Sequence, residues 1–275
     1  MIPEFLAIGH VTRDLVNNGF GWGGTVTYGA LTAQKMGLSP AIVTSMGEEH
    51  ETPTPLRNIP FHKVPASETT TFRNIYQEGS RTQILKGISS PISAADIPTR
   101  WANSPLVLLG PVVGEVSYDI APHFPNSTVV ACMQGWLRRW DAAGRVTTLD
   151  WDGSQVLPLV DAAVVSTEDV EDTSLFDQWA KLTPVLVVTN GRRGSRVHFS
   201  GQWHEVLPFD AKEFDQTGAG DVFATAYLFQ YHRSGDPVNA ARFASCAAAM
   251  SVEAESYSGI PSLAEVEARI VLEQD

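Results

Sequence analysis

The feature that most constrains this chain is a series of short, wholly apolar runs separated by polar or glycine-containing segments. The runs do not alternate between apolar and polar residues, so they predict strands buried on both faces, as in a parallel sheet. Helical spacing between the first two runs completes a strand–helix–strand unit. The runs cover residues 5–8, 41–43, 106–109, 129–132, 162–165 and 185–188. We therefore expect an α/β fold with three layers, α/β/α, around a mostly parallel sheet.

Two segments depart from this rhythm and predict antiparallel strands. Residues 58–89 are more polar and alternate, with a turn at Glu78 and Gly79, which predicts a β-hairpin lid inserted into the α/β chain. Residues 197–199 and 203–206, joined by a turn at 200–202, predict a second hairpin.

The C-terminal third of the chain is predicted to be helical. Residues 221–231 and 238–252 are apolar nearly all round, which indicates deeply packed helices. Residues 262–272 are amphipathic, with Ser262 and Glu265 at capping-box spacing.

Composition excludes several classes of protein. The 275 residues carry 19 basic and 31 acidic side chains, a net charge of −12, which argues against nucleic acid and anionic lipid as partners. No apolar run is long enough to cross a membrane, and no secretory leader is apparent. The two cysteines, Cys132 and Cys246, do not make a disulfide scaffold. We expect one domain over residues 1–275, in the cytoplasm.

Residues 215–221, with the sequence DQTGAGD, lead directly into an apolar helix. Small residues there expose successive backbone amides at the positive end of the helix dipole, which makes an anion site without basic side chains. Asp221 would repel an anion, but it suits a base beside a transferring phosphoryl group. The alternative is a tight turn at Gly218 and Gly220, with Asp221 capping the helix.

This segment resembles the C-terminal signature of the ribokinase-like (PfkB) carbohydrate kinases, D-x-x-G-A-G-D. The second position is usually Pro, Ser, Thr or Val in that family, so Gln216 is a departure. The resemblance implies a ribokinase-like fold and the ATP-dependent transfer of the γ-phosphate to a hydroxyl of a small sugar or polyol. It also implies that Asp221 is the catalytic base and that the backbone of Gly218, Ala219 and Gly220 holds the transferred phosphate.

Two N-terminal features resemble the family's acceptor site. Asp14, after the first strand, is similar to the substrate-binding aspartate, although it could be a solvated loop residue. The pair Gly23-Gly24 is similar to the glycines that let substrate hydroxyls approach the backbone, although it could be an ordinary helix entry. Ribokinases proper carry Asn where this chain has Tyr28, which is closer to the inositol-kinase-like branch. Gln134, after another strand, could also face the substrate.

The remaining matches concern ATP and Mg²⁺. Thr189, Gly191 and Gly194 fit the family's T-x-G-x-x-G nucleotide loop, and Ser245 lies among small residues that pack beside adenine in the family. A glycine turn and close helix packing are the respective alternatives.

For Mg²⁺, the family's N-x-x-E pattern falls on residues 166–169, so Asp169, or else Glu168, is the candidate metal residue. Both supply the oxygen ligands that Mg²⁺ prefers. The alternative is a helix cap with acidic residues in its first turn.

Two rival functions stay open at this point. One is a nucleoside kinase, and the other is a non-catalytic sensor of sugar or nucleotide on the same fold. In some relatives the β lid forms a dimer interface, so a homodimer through Phe72, Ile75 and Tyr76 is a further expectation. These side chains could equally pack within their own lid.

Overall fold

The computed structural model describes residues 1–16, 19–48, 52–77 and 80–273. Its strands are β1 (Phe5–Ile8), β2 (Thr12–Val16), β3 (Gly19–Gly23), β4 (Pro40–Gly47), β5 (Phe61–Ala66), β6 (Thr71–Gln77), β7 (Ser80–Gly87), β8 (Leu106–Leu109), β9 (Thr128–Cys132), β10 (Arg138–Trp140), β11 (Val146–Thr148), β12 (Ala162–Ser166), β13 (Val185–Thr189), β14 (Ser195–Phe199) and β15 (Gln202–Val206). Its α-helices are α1 (Thr25–Lys35), α2 (Leu175–Trp179), α3 (Ala219–Ser234), α4 (Pro237–Ser251) and α5 (Leu263–Leu272).

The large sheet has the strand order β15-β14-β13-β12-β9-β8-β1-β4-β5. All pairs from β5 to β13 are parallel, and only the hairpin β14–β15 and its contact with β13 are antiparallel. The predicted parallel α/β fold is confirmed, and each apolar run of the sequence is a strand of this sheet. Its carboxyl ends meet along one edge, where ligands bind in open α/β folds.

Both faces of the large sheet are covered. Along β1, Phe5 and Ala7 face one apolar core, and Leu6 and Ile8 face the other, all with no exposed surface. The first core includes side chains of α1, α3 and α4. The second is covered by α2 and by irregular segments with short 3₁₀ turns, so the outer layer on that side is less helical than the sequence pattern suggests.

A second sheet, with the order β3-β2-β6-β7, forms the lid. It differs from the predicted insertion at 58–89 in two ways. Phe61–Ala66 pairs with β4 and belongs to the large sheet, and residues 12–23 contribute two strands to the lid. Three of the five residues in Gly19–Gly23 are glycines, which present no side chain to either face of a sheet. The alternation of apolar and polar side chains that predicts a strand is therefore missing there. The predicted turn at Glu78 and Gly79 lies outside the described residues, as does the side chain of Tyr76.

One face of the lid points at the carboxyl edge of the large sheet. Phe72 and Leu85 pack against Val112 and Val113, which lie beyond the end of β8. Asp14 is the direct neighbour of Phe72 across the β2–β6 pair, so both project from the same face. The lid therefore carries Asp14 above the strand ends. This residue is on a strand and not in the solvated loop that was the alternative.

The C-terminal elements agree with their patterns. The second predicted hairpin is β14–β15, and α3 and α4 pack against one another. Ser262 and Glu265 form the expected capping box at the start of α5, with the Ser262 amide 2.7 Å from Glu265 Oε2. In the part of the chain that the structure describes, no helix combines the length and the apolar character needed for a membrane span.

Candidate active site

Asp221 lies in the first turn of α3, half-buried near the carboxyl ends of the central strands. The Thr25 hydroxyl, in the first turn of α1, donates a hydrogen bond to its carboxylate. Burial raises the pKa of Asp221 to about 6, and the charges of Asp169 and Asp14 act in the same direction. The Thr25 bond and the positive charge of Arg138 oppose that rise. The result is a carboxyl group that is ionised at neutral pH and still accepts a proton readily.

The glycine loop before α3 has the geometry of an anion site, although one amide is already used. Gly218 caps the helix with a left-handed φ of 79°, and a Cβ there would lie 2.2 Å from the Tyr28 ring. The Ala219 amide donates to the Gln216 carbonyl at 3.3 Å. The amides of Gly220 and Asp221 fall in the first helical turn, which offers them no acceptor. A Cβ on Gly220 would meet nothing within 4 Å, so this stretch of backbone faces open space.

A charged bridge joins this loop to the predicted nucleotide loop. After β13 ends at Thr189, the chain turns through Gly191–Arg193 to Gly194. Arg192 contacts the carboxylate of Glu213 through both Nε, at 2.7 Å, and Nη2. Gln216 donates to the same carboxylate at 2.6 Å. Gln216, the departure from the family signature, is therefore part of the contact between the two loops.

The N-terminal residues predicted to bind the acceptor come together at the lid. A Cβ built on Gly23 would lie only 2.4 Å from Asp14 Oδ2, so the glycine leaves the space that the carboxylate occupies. Gly24 follows with a φ of 88° and caps α1, whose first residue is Thr25. Gly23 therefore contacts Asp14 and is followed by Gly24 and by Thr25, which binds Asp221. These residues belong to one part of the site.

The candidate metal residues differ in their surroundings. Asp169 ends the 3₁₀ turn after β12, where Oδ2 accepts from the Ser166 amide (3.1 Å) and Oδ1 accepts from Gln134 Nε2 (2.9 Å). Its charge raises the pKa of Asp221, so the two carboxylates share one region. Glu168 is exposed on the same turn. Gln134, predicted to bind substrate, thus meets Asp169. Thr167 in the same turn donates to Asn190 of the nucleotide loop at 3.0 Å.

This donor set suits Mg²⁺ in a limited way. The carboxylate oxygens of Asp169, or of its neighbour Glu168, are hard ligands, and Mg²⁺ usually takes one or two carboxylates together with water and phosphate oxygens. No group of three or more His, Cys, Asp or Glu side chains gathers as a metal cage among the described residues. A single carboxylate therefore suits an ion that takes its other oxygen ligands from water and from a phosphate compound.

Thr25 and Arg138 belong to the site but were not predicted from the sequence. Arg138 begins β10, donates to the Val112 carbonyl at 3.0 Å, and holds its guanidinium 5.7 Å from the centre of the Phe72 ring. It thereby lies under the lid, close enough to Asp221 to lower its pKa. The available signal for Arg138 was its position, because it is a basic residue four positions after Gln134, which follows the end of β9. No pattern pointed to Thr25.

Two other residues near the site have less to contribute. Burial, together with the charges of Asp221 and Asp169, raises the pKa of Cys132 well above its usual value, so that thiol stays protonated. Ser245 is buried on α4, which packs against α3 and against β14 and β15. That places Ser245 in the layer behind the nucleotide loop.

The chain resembles known carbohydrate kinases. Residues 160–262 match the model of the pfkB family carbohydrate kinase. The inositol 3-kinase of Zea mays is 30% identical over 142 residues, which cover 50% of this chain and 36% of the relative. The 5-dehydro-2-deoxygluconokinase of Clostridium tetani is 27% identical over 106 residues, which cover 38% and 31%. The aligned segments therefore span about a third of the length of these two relatives.

The fold is shared over the whole length. A pyrophosphate-dependent kinase in the ribokinase family, complexed with a pyrophosphate analog and myo-inositol, superposes with a TM-score of 0.78. The superposition covers 96% of this chain and 99% of the other, at 19% identity. The chain therefore has a ribokinase-like fold, and over residues 160–262 it is similar to the pfkB family of carbohydrate kinases.

Proposed function

We propose that this chain is a kinase that transfers the γ-phosphate of ATP to a hydroxyl of a small sugar or polyol. The observation that carries the proposal is the placing of Asp221. Asp221 lies in the first turn of α3, and its carboxylate accepts a hydrogen bond from Thr25 of α1. It lies beside the open backbone of Gly220 and beneath the lid that carries Asp14. A base, an anion site and an acceptor residue are the parts that phosphoryl transfer to an alcohol needs.

The acceptor would lie between the lid and the strand ends, bound by Asp14 and by the backbone at Gly23 and Gly24. Asp221 would take the proton from the attacking hydroxyl as the phosphoryl group moves to its oxygen. The amides of Gly220 and Asp221 would bind the transferred phosphoryl oxygens. One such donor typically supplies about 3 kcal/mol of transition-state stabilisation.

Thr25 would keep the Asp221 carboxylate ionised and aimed at the acceptor, and Arg138 would offset the negative charge that gathers there. Asp169, or else Glu168, would hold Mg²⁺, which when bound supplies positive charge to the phosphate oxygens. The lid would exclude water, because water could replace the acceptor as nucleophile. On the donor side, Thr189, Gly191 and Gly194 would line the nucleotide loop, with Ser245 in the layer behind it.

The test is a transfer assay on purified protein with myo-inositol, hexoses, pentoses, sugar acids and nucleosides as acceptors. Each acceptor is paired with Mg·ATP and separately with magnesium pyrophosphate, since a protein of the same fold is pyrophosphate-dependent. Phosphorus NMR identifies the phosphorylated product, and calorimetry measures binding without transfer. Asp221→Asn is the inactive control.

The outcomes separate the alternatives. A phosphorylated sugar or polyol formed from ATP supports the proposal, and the same product from pyrophosphate alone corrects the donor. A strict preference for nucleosides would show that the acceptor is a nucleoside and not a sugar or polyol. Binding without transfer for every bound compound makes the chain a sensor and overturns the proposed activity.

A further inference from the structure

The turn Ser256–Gly259, between α4 and α5, contacts three separate parts of the candidate site. The Ser256 amide donates to Asp215 Oδ2 at 2.9 Å, and Ser256 Oγ lies 3.2 Å from the Tyr28 hydroxyl. The Tyr257 hydroxyl donates to the Trp22 carbonyl. Two adjacent residues therefore reach the glycine loop before α3, helix α1 and lid strand β3.

The backbone of this turn is held in an unfavourable conformation. Ser256 has a φ of 49°, in the left-handed region that side chains other than glycine seldom adopt. Such a conformation persists only where the surroundings impose it. Here Asp215 binds the Ser256 amide, and the Tyr28 hydroxyl binds the Ser256 hydroxyl. The turn is also packed closely on α4, since a Cβ on Gly259 would lie 2.1 Å from the Ser251 carbonyl oxygen.

On the donor side, the contacts of Ser256 bear directly on the anion-binding backbone. Asp215 Oδ1 accepts from the Thr217 amide at 2.9 Å, which shapes the segment leading to Gly218. The ring of Tyr28 fills the space beside Gly218, where a Cβ would overlap it. Burial raises the pKa of Tyr28 to about 12, so its hydroxyl keeps its proton for the bond with Ser256.

On the acceptor side, Tyr257 acts on the lid. Trp22 lies on β3, which pairs with β2, the strand that carries Asp14. The Tyr257 ring packs on Tyr28 with a centroid separation of 4.9 Å. The aromatic pair therefore lies between the lid strand and the glycine loop, in contact with both.

From these contacts we propose that Ser256 and Tyr257 are positioning residues that couple the lid to the anion-binding loop. Docking of the lid through Tyr257 fixes the turn, and the turn fixes the loop through Ser256, so the phosphoryl-transfer site is completed only when the acceptor is covered. The kinetic consequence rests on the proposed kinase function. The mechanical coupling does not, and it is testable by itself.

The experiment removes a hydrogen bond at one end of the turn and measures amide exchange in the segment at the other end. Tyr257→Phe removes the hydroxyl that binds the lid and keeps the ring. Ser256→Ala and Tyr28→Phe each remove the bond between Ser256 and Tyr28. Tyr118→Phe is the matched control, because its hydroxyl accepts a hydrogen bond from Trp151, at 3.0 Å, away from the site. Hydrogen exchange by mass spectrometry follows residues 19–23 and 215–221 in all variants.

Each substitution is expected to raise amide exchange in the distant segment as well as in the segment next to it. Tyr257→Phe raises amide exchange in both segments by about 3- to 10-fold, the loss expected for one hydrogen bond, and Ser256→Ala and Tyr28→Phe also raise it in the lid segment. In a transfer assay, Tyr257→Phe increases donor hydrolysis relative to transfer by a similar factor. Tyr118→Phe changes neither quantity.

Exchange that rises only in the segment next to each substitution would overturn the coupling, whether or not the protein is a kinase. An active wild-type enzyme whose Tyr257→Phe variant keeps the wild-type ratio of hydrolysis to transfer would also overturn it. If the wild type transfers no phosphate, the proposed function fails and the exchange measurement still decides the coupling.

Discussion

The hydroxyl of Thr25 donates a hydrogen bond to the carboxylate of Asp221, across the junction between α1 and α3. This bond favours the ionised carboxylate and so opposes the effect of burial, which raises the pKa of Asp221; the net pKa is about 6. An ionised Asp221 is the form that can accept a proton. We therefore expect kcat/KM to fall as the pH decreases through about 6.

Thr25→Val should move that acidic limb upward by about one pH unit, because the variant loses a hydrogen bond to a charged group. Valine has nearly the same shape and retains the contact with Gly110, where a Cβ would lie 2.6 Å from Thr25 Cγ2. Thr32→Val is the control on the same helix, since Thr32 Oγ1 is buried without a hydrogen-bond partner among the described residues. An unshifted limb in Thr25→Val, or an equal shift in Thr32→Val, would contradict this role.

Asp221→Asn should lose turnover and gain stability. Removing a general base typically costs about 10²- to 10⁴-fold in kcat. The folded protein holds the Asp221 proton to about pH 6, whereas the unfolded chain releases it near 3.8. Folding therefore binds extra protons between these values, so stability falls as the pH rises through that window and is level above it. Asparagine avoids this penalty, which is roughly 3 kcal/mol at most.

The measurements are steady-state kinetics and chemical denaturation of both proteins at pH 7 and pH 4. The stabilisation should be present at pH 7 and mostly absent at pH 4, because pH 4 lies close to the unfolded pKa of 3.8 and well below the folded pKa of about 6. Turnover close to that of the wild type would exclude Asp221 as the base. Equal stabilisation at both pH values would show that its proton is not the cause.

The sequence was sufficient for the large sheet because each central strand is buried on both faces. Leu106–Leu109 and Val185–Thr189, for example, are nearly continuous apolar runs whose only stable place is inside a parallel sheet. The lid was harder to predict. Thr12–Val16 is partly exposed and does not alternate cleanly, and Gly19–Gly23 is mostly exposed with three glycines, so neither pattern differs from that of a loop.

For the candidate site, the sequence indicated the residues whose spacing is local. Gly218 and Asp221 lie within one turn, and their geometry follows from the start of a helix. Thr25 and Arg138 join them only through tertiary contacts, because Thr25 precedes Gly218 by 193 residues and Arg138 precedes it by 80. A single threonine or arginine has no periodicity that could indicate such a contact.

Gly218→Ala should destabilise the protein by more than its backbone conformation alone predicts. A side chain at a φ of 79° costs about 1–2 kcal/mol, and here the new methyl group would also overlap the Tyr28 ring. Gly201→Ala is the matched control, with the same φ of 79° but no atom within 4 Å of a Cβ. The difference between the two variants isolates the overlap with Tyr28.

We expect thermal unfolding to show a larger loss for Gly218→Ala than for Gly201→Ala. Transfer activity should fall only in the Gly218 variant, since its loop must move to relieve the overlap. Equal destabilisation in both variants would mean that the Tyr28 ring rotates away freely and does not fix the loop.

The bridge between Arg192 and Glu213 should matter for the phosphate donor and not for the acceptor, because it joins the nucleotide loop to the segment before the glycine loop. Arg192→Ala should raise the KM for the donor about two- to five-fold at low salt, in the range of exposed ion pairs. The acceptor KM should not change. Arg193→Ala removes the same charge one residue away from the bridge and serves as control.

Salt provides the decisive comparison for this pair. The Arg192 side chain is 73% exposed, so ions screen its attraction to Glu213 at high ionic strength. The difference in donor KM between wild type and Arg192→Ala should therefore shrink as salt approaches 1 M. A difference that persists at 1 M, or an equal effect of Arg193→Ala, would mean that Arg192 acts on the donor directly and not by holding the two loops together.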